Sequence, residues 1–287
     1  MIRNFLSHQR FFWSRFMLVL GAISVFLSIL GATPLLQQSQ ARHDPAYYAL
    51  ILLITFVVAG FQLHRAISGV QFRVREADLD LAIMFGDVLD RPGSVLVPVS
   101  TRFRHTLSDN GGKVSKSSVH GQLISRCGGE VAFAKAVSQA LDGTAPAGDG
   151  TLKDETLDFP VGTVAVLPRA TFQPGASGSY FLFAVTEERG DTSGVSSDLP
   201  TLVVAMSAAL EQIKDHKDAT QLALPFVGTG YGRIKLEPDN LLDVQVATVT
   251  EFFRRARGHH NVSFVLHPRQ RGTLRLYNIE REWSAGL

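Results

Sequence analysis

Apolar and polar positions follow two different regimes along this chain. Ahead of residue 65 they form two long uncharged runs, 16–36 and 45–63, separated by the polar stretch Gln37–Asp44. At about 1.5 Å rise per residue, each run is long enough to cross a hydrocarbon core of about 30 Å. Pro45, Tyr47 and Tyr48 open the second run where a helix start and interfacial aromatics belong. The pattern therefore predicts an antiparallel pair of transmembrane helices, with Pro34 helping to end the first. Arg3, Arg10 and Arg15 precede the first run and Arg65, Arg73 and Arg75 follow the second, while Arg42 in the connection is offset by Asp44. That bias places both termini in the cytoplasm of a multi-pass protein of the bacterial inner membrane. A cleaved signal peptide is the alternative for the first run, although such peptides have apolar cores of roughly 7–15 residues.

Beyond residue 69 short runs alternate with helical spacing. Strands are predicted at 70–74, 79–84, 94–99, 161–167, 180–185, 222–226 and 262–266, and helices at 131–141, 199–213 and 239–257. This alternation predicts a sheet between helical layers, one domain over 70–287 after a membrane part over 1–69. Asp142–Asp154 and Gly175–Gly178 are small and polar and read as exposed loops.

Composition narrows the function. A net charge of +2 supplies no field for a nucleic-acid partner. The single cysteine, Cys127, excludes an intramolecular disulfide, and no Cys/His spacing suggests a metal. Three segments remain as candidate chemistry. Leu224-Pro225-Phe226-Val227-Gly228-Thr229-Gly230-Tyr231-Gly232-Arg233 runs from a strand into glycines of period two, where backbone N–H groups can converge on a diphosphate; a plain tight turn would look similar. Phe85-Gly86-Asp87-Val88 sets a carboxylate just past a strand, able to accept from an exocyclic amine or, by default, to cap the next turn. Ser117-Ser118-Val119-His120-Gly121-Gln122 is small and polar, and its histidine is more readily structural than ligand-binding.

Together these segments resemble the macro domain, an α/β/α module with a mixed, largely parallel central sheet that binds ADP-ribose. The resemblance covers roughly residues 70–270. It implies that Asp87, with Val88 beside it, reads the adenine amine, and that Val97-Pro98-Val99-Ser100 leads into the ribose-side loop. It also implies that the loop from Gly228 through Gly230 to Gly232 holds the diphosphate; Thr229, Tyr231 and Arg233 are lesser candidates to touch phosphate or the distal group, Arg233 being alternatively a surface charge near a helix start, and Ser118, His120 and Gly121 are further candidate contacts. Ser100-Thr101-Arg102-Phe103 stands where the family has Asn-Ala-Ala-Asn, which disfavours hydrolysis and favours a binding module; a membrane-anchored ADP-ribosyl hydrolase is the alternative.

Ser-Val-His-Gly-Gln, Pro-Phe-Val-Gly-Thr-Gly-Tyr-Gly-Arg-Ile and the two apolar runs resemble the macro-domain effectors of type II Thoeris antiphage defence. That resemblance implies a non-enzymatic receptor with no cofactor. Its ligand would be an NAD-derived ADP-ribose conjugate, carrying histidine, made by a TIR-domain enzyme. Ligand-induced homo-oligomerisation would then act on a lipid bilayer. Leu274–Trp283 reads as a segment that docks on the domain or assists assembly.

Overall fold

The computed structural model describes residues 69–108, 114–146, 157–188, 195–228, 234–256, 258–271 and 273–284, with isolated positions 13, 16, 17, 21, 53–55, 57 and 58 ahead of them. The chain divides into two compact units, 1–70 with 271–277, and 71–270 with 278–287. The second unit holds nearly all of the central sheet.

Ten strands are described: β1 Gly69–Val74, β2 Leu79–Phe85, β3 Ser94–Ser100, β4 Leu107–Ser108, β5 Val114–Ser115, β6 Val164–Pro168, β7 Ser179–Glu188, β8 Val195–Ser196, β9 Gln221–Pro225 and β10 His260–Leu266. The helices are α1 Val119–Arg126, α2 Glu130–Ala140, α3 Leu199–Ile213, α4 Pro238–Arg255 and α5 Leu276–Ser284. The main sheet runs β1-β2-β10-β9-β3-β7-β6, with β8 paired to β7 and β4-β5 forming a separate two-stranded piece. The pairs β2–β10, β10–β9, β9–β3 and β3–β7 are parallel, and β6 is antiparallel to β7. The expected α/β/α fold with a mixed, largely parallel central sheet is what the chain adopts.

Burial on both faces explains why the strands read as near-continuous apolar runs. Val95, Val97 and Val99 of β3 and Tyr180, Leu182 and Ala184 of β7 share one cluster with Leu123, Ile124, Phe133 and Val137 of α1 and α2. The alternate residues Leu96, Phe181 and Phe183 are just as buried and point the other way. There α3 lies on β7 and packs against α4, burying Leu202, Ala205, Met206, Ala209, Leu210 and Ile213.

The N-terminal expectation is corrected. Most of 16–36 and 45–63 lies outside the described residues, and among the described residues no helix is long and apolar enough to cross a membrane. The longest described helix, α4, has 18 residues and includes Asp239, Asp243, Glu251, Arg254 and Arg255, whereas a span needs about 20 consecutive apolar ones. The transmembrane hairpin, the multi-pass inner-membrane placement with cytoplasmic termini, and the bilayer partner that depended on them are therefore set aside. An uncharged run permits a span without requiring one.

Candidate functional site

Because β2, β10, β9 and β3 are parallel neighbours, the segments leaving them emerge on one edge of the sheet. Gly86–Asp87 leaves β2, Ser100–Thr101 leaves β3 and Phe226–Gly228 leaves β9. In open α/β sheets, ligands bind in the crevice outside such carboxyl ends.

Asp87 is held from two sides. Its Oδ1 accepts from the Leu89 N–H at 2.9 Å, capping the turn Val88–Asp90, and its Oδ2 accepts from Arg126 Nη2 at 2.7 Å. Arg126 Nη1 donates in turn to Asp90 Oδ1 at 2.7 Å. The Asp87 and Arg126 side chains keep 35% and 29% of their surface in solvent, so the pair remains open to a ligand. Val88, by contrast, is buried in the core with Leu89 and offers no side-chain contact. The turn is braced from below by Arg169, a buried cation whose guanidinium donates to the carbonyls of Arg91 at 2.6 Å and Gly93 at 2.7 Å and lies over the Tyr180 ring.

The glycine-rich segment starts from a rigid anchor. The Gln245 amide, buried on α4, accepts from the Val227 N–H at 3.1 Å and donates to the Val227 carbonyl at 2.9 Å. Gly228 follows with φ +96°, and a Cβ there would meet Ile234 Cδ1 at 2.8 Å. Its carbonyl accepts from the Ile234 N–H at 3.1 Å, closing the loop at its base. Thr229, Gly230, Tyr231, Gly232 and Arg233 lie outside the described residues.

Ser100 ends β3 at a register shift against β7, and its carbonyl accepts from Phe103. The next two residues are tied down by Asp158, which accepts from Thr101 Oγ1 at 2.8 Å and from Arg102 Nε at 3.3 Å.

Ser118, His120 and Gly121 build a helix start. The Ser118 hydroxyl accepts from the Gly121 N–H at 3.0 Å and donates to the Ser115 carbonyl at 2.7 Å. His120 is buried with its ring 5.5 Å from that of Phe133. A Cβ on Gly121 would fall 2.1 Å from the Ser115 carbonyl oxygen, so glycine is a packing requirement. Arg126, Asp158, Gln245 and Arg169 carry no local sequence signal, since the hydrogen bonds described above join them to residues 18 to 78 positions away. Burial pushes the Cys127 thiol up to about 12, which keeps it protonated and inert at neutral pH.

This architecture has counterparts among known proteins. A family model for the macro domain of the Thoeris protein ThsA matches residues 81–267. The chain belongs to this family. Among solved structures, a mutant of the Oceanobacillus iheyensis macrodomain with ADPR is similar to this ThsA-type domain at a TM-score of 0.51 and 14% identity, covering 75% of this chain and 98% of that one. The same macrodomain with ADP gives a TM-score of 0.50 and 12% identity, covering 75% and 96%. At such identities the likeness shows the fold alone. No curated protein sequence matches the chain.

Proposed function

We propose that this ThsA-type macro domain is a receptor for an ADP-ribose conjugate derived from NAD, with Asp87 accepting from the adenine amine and the segment from Gly228 to Arg233 surrounding the diphosphate. The supporting observation is that a partly exposed carboxylate and the base of a glycine loop leave parallel strands on the same edge of the sheet. The residues present fit such a ligand. A carboxylate has about four lone-pair sites, of which Asp87 uses two. Gly228 takes a left-handed φ, and the sequence after it supplies two further glycines, Gly230 and Gly232, the residue type that lets backbone approach a phosphate closely.

The family supports an upstream TIR-domain enzyme as the source of the signal, with histidine as the distal group, and ligand-driven self-association as the response. A ligand can drive assembly only by binding the assembled state better than the free one. A binding role is supported over hydrolysis by the segment after β3: Thr101 and Arg102 are fixed to Asp158, and Ser100-Thr101-Arg102-Phe103 contains no asparagine.

Calorimetric titration of the full chain with ADP-ribose and with histidine-linked ADP-ribose tests the reading. Binding of the conjugate that Asp87→Ala weakens at least tenfold is expected. Asp87→Asn keeps the oxygen that caps Val88–Asp90 and separates recognition from folding. Absence of binding overturns the receptor, release of free ADP-ribose during titration makes the domain a hydrolase, and an unchanged particle mass at saturating ligand removes the assembly step.

A further inference from the structure

The sheet ladder ends just short of the glycine loop. Pro225, the last residue of β9, is also the last to pair with β10, and Val227 lies beyond that ladder. Its two backbone groups are bonded instead by the side chain of Gln245 on α4, which is only 1% exposed. The sense of this amide is fixed by its surroundings. Nε2 carries two N–H donors, and these face the carbonyls of Val227 at 2.9 Å and Leu241 at 3.3 Å, while Oε1 faces the Val227 N–H. Gln245 thus does for Val227 what a neighbouring strand would do.

The same bond orients the next peptide. A trans peptide is planar, and its C=O and N–H point in opposite directions. Since the Val227 carbonyl points at Gln245, the N–H of Gly228 points away from α4. Gly228 is buried. Its carbonyl accepts from Ile234, but among the described residues nothing accepts from its N–H. A buried backbone N–H is rarely left without an acceptor, and this one stands just past the carboxyl end of a parallel strand, where anions are bound.

We infer that Gln245 is a positioning residue for phosphate recognition: by holding the Val227 carbonyl, it aims the Gly228 N–H at a phosphate oxygen of the ligand. It acts through the loop rather than on the ligand. An amide suits this task where a lysine would not, because it holds a donor and an acceptor in place at once. The inference rests on the placement of the diphosphate at Gly228 made above.

The test compares ADP-ribose with adenosine, which lacks the phosphates, by calorimetry on the full chain for wild type, Gln245→Met and Gln245→Glu. Methionine has nearly the same shape and cannot donate. Gln245→Met should lower the affinity for ADP-ribose by about tenfold, the worth of one hydrogen bond to a charged group, and leave that for adenosine unchanged. Glutamate in its protonated form keeps one donor and one acceptor. The preference of Gln245→Glu for ADP-ribose should therefore be near that of wild type in acid and fall, relative to wild type, as its carboxyl ionises. The Gly228 amide proton should shift downfield with ADP-ribose but not with adenosine, and Gln245→Met should lose that shift. A merely structural Gln245 would lower both affinities together; an unchanged ratio of ADP-ribose to adenosine affinity in Gln245→Met overturns the inference and leaves the diphosphate placement standing. A wild type that does not prefer ADP-ribose to adenosine removes the placement and the inference together. Thermal unfolding shows which variants fold; where methionine does not, the pH dependence of Gln245→Glu decides, and its absence overturns the inference.

Discussion

The two ends of the candidate site are held by opposite kinds of chemistry. On the β2 side, Asp87, Arg126 and Asp90 form a chain of charges about one-third or more exposed to water. On the β9 side, the neutral amide of Gln245 is buried and binds both polar groups of one backbone residue. A charged pair in water is worth little to stability, about 0–1 kcal/mol, but can exchange partners cheaply. A buried amide that satisfies two backbone groups leaves both unpaired when removed, at about 1–3 kcal/mol each. The β2 side is thus suited to exchange bonds with an incoming base, and the β9 side to hold a loop in place.

The contrast can be broken experimentally, beginning with its stiffest point. Gly228→Ala should destabilise most, by about 2–3 kcal/mol, because a positive φ is combined with a Cβ only 2.8 Å from Ile234 Cδ1; chemical denaturation measures it, and a loss below about 0.5 kcal/mol would show that the turn relaxes. Gln245→Ala follows at about 2 kcal/mol, and this loss should persist unchanged in 1 M salt. Arg126→Ala should cost less than about 1 kcal/mol, and raising the salt should shrink the difference from wild type further. Equal losses at Gln245 and Arg126 would end the contrast.

A smaller effect concerns α4 beyond the site. Asp243 is partly buried, and desolvation, with the neighbouring carboxylates Glu282 and Asp239, raises its carboxyl above the ordinary value despite a hydrogen bond from Trp283 of α5. A raised folded value means that the protonated form is favoured by folding. Its contribution to stability is therefore fully present below the unfolded value near 3.8 and is lost as pH rises through the higher folded value. Asp243→Asn should remove that pH dependence and raise the melting temperature slightly at pH 7, with wild type and variant converging as the solution is acidified.

Strands were legible in the sequence because burial on both faces leaves no polar position to interrupt them: Ser94–Ser100 is apolar but for its ends. Helix α1 was not legible. It is only 8 residues long and has glycine at its third position, which by propensity argues against a helix; the glycine is there because the Ser115 carbonyl presses on it. The positions of Asp87 and Gly228 at strand ends could be read, and the capping role given to Asp87 by default is present. Its partner Arg126, 39 residues away, could not be read, since no local pattern encodes a contact made by tertiary packing. At the N-terminus hydropathy alone carried the expectation of two spans, and among the described residues no helix is long and apolar enough to cross a membrane.

The pairing of β2 with β10 also sets a schedule for biosynthesis. The strand that presents Asp87 ends at Phe85, and its partner is complete only at Leu266. At about 5–20 residues per second, a ribosome needs on the order of 10 s or more to span that interval. Until then β2 has only β1 beside it. A nascent or truncated chain ending before residue 260 would thus leave the inner edge of β2 unpaired and present no site.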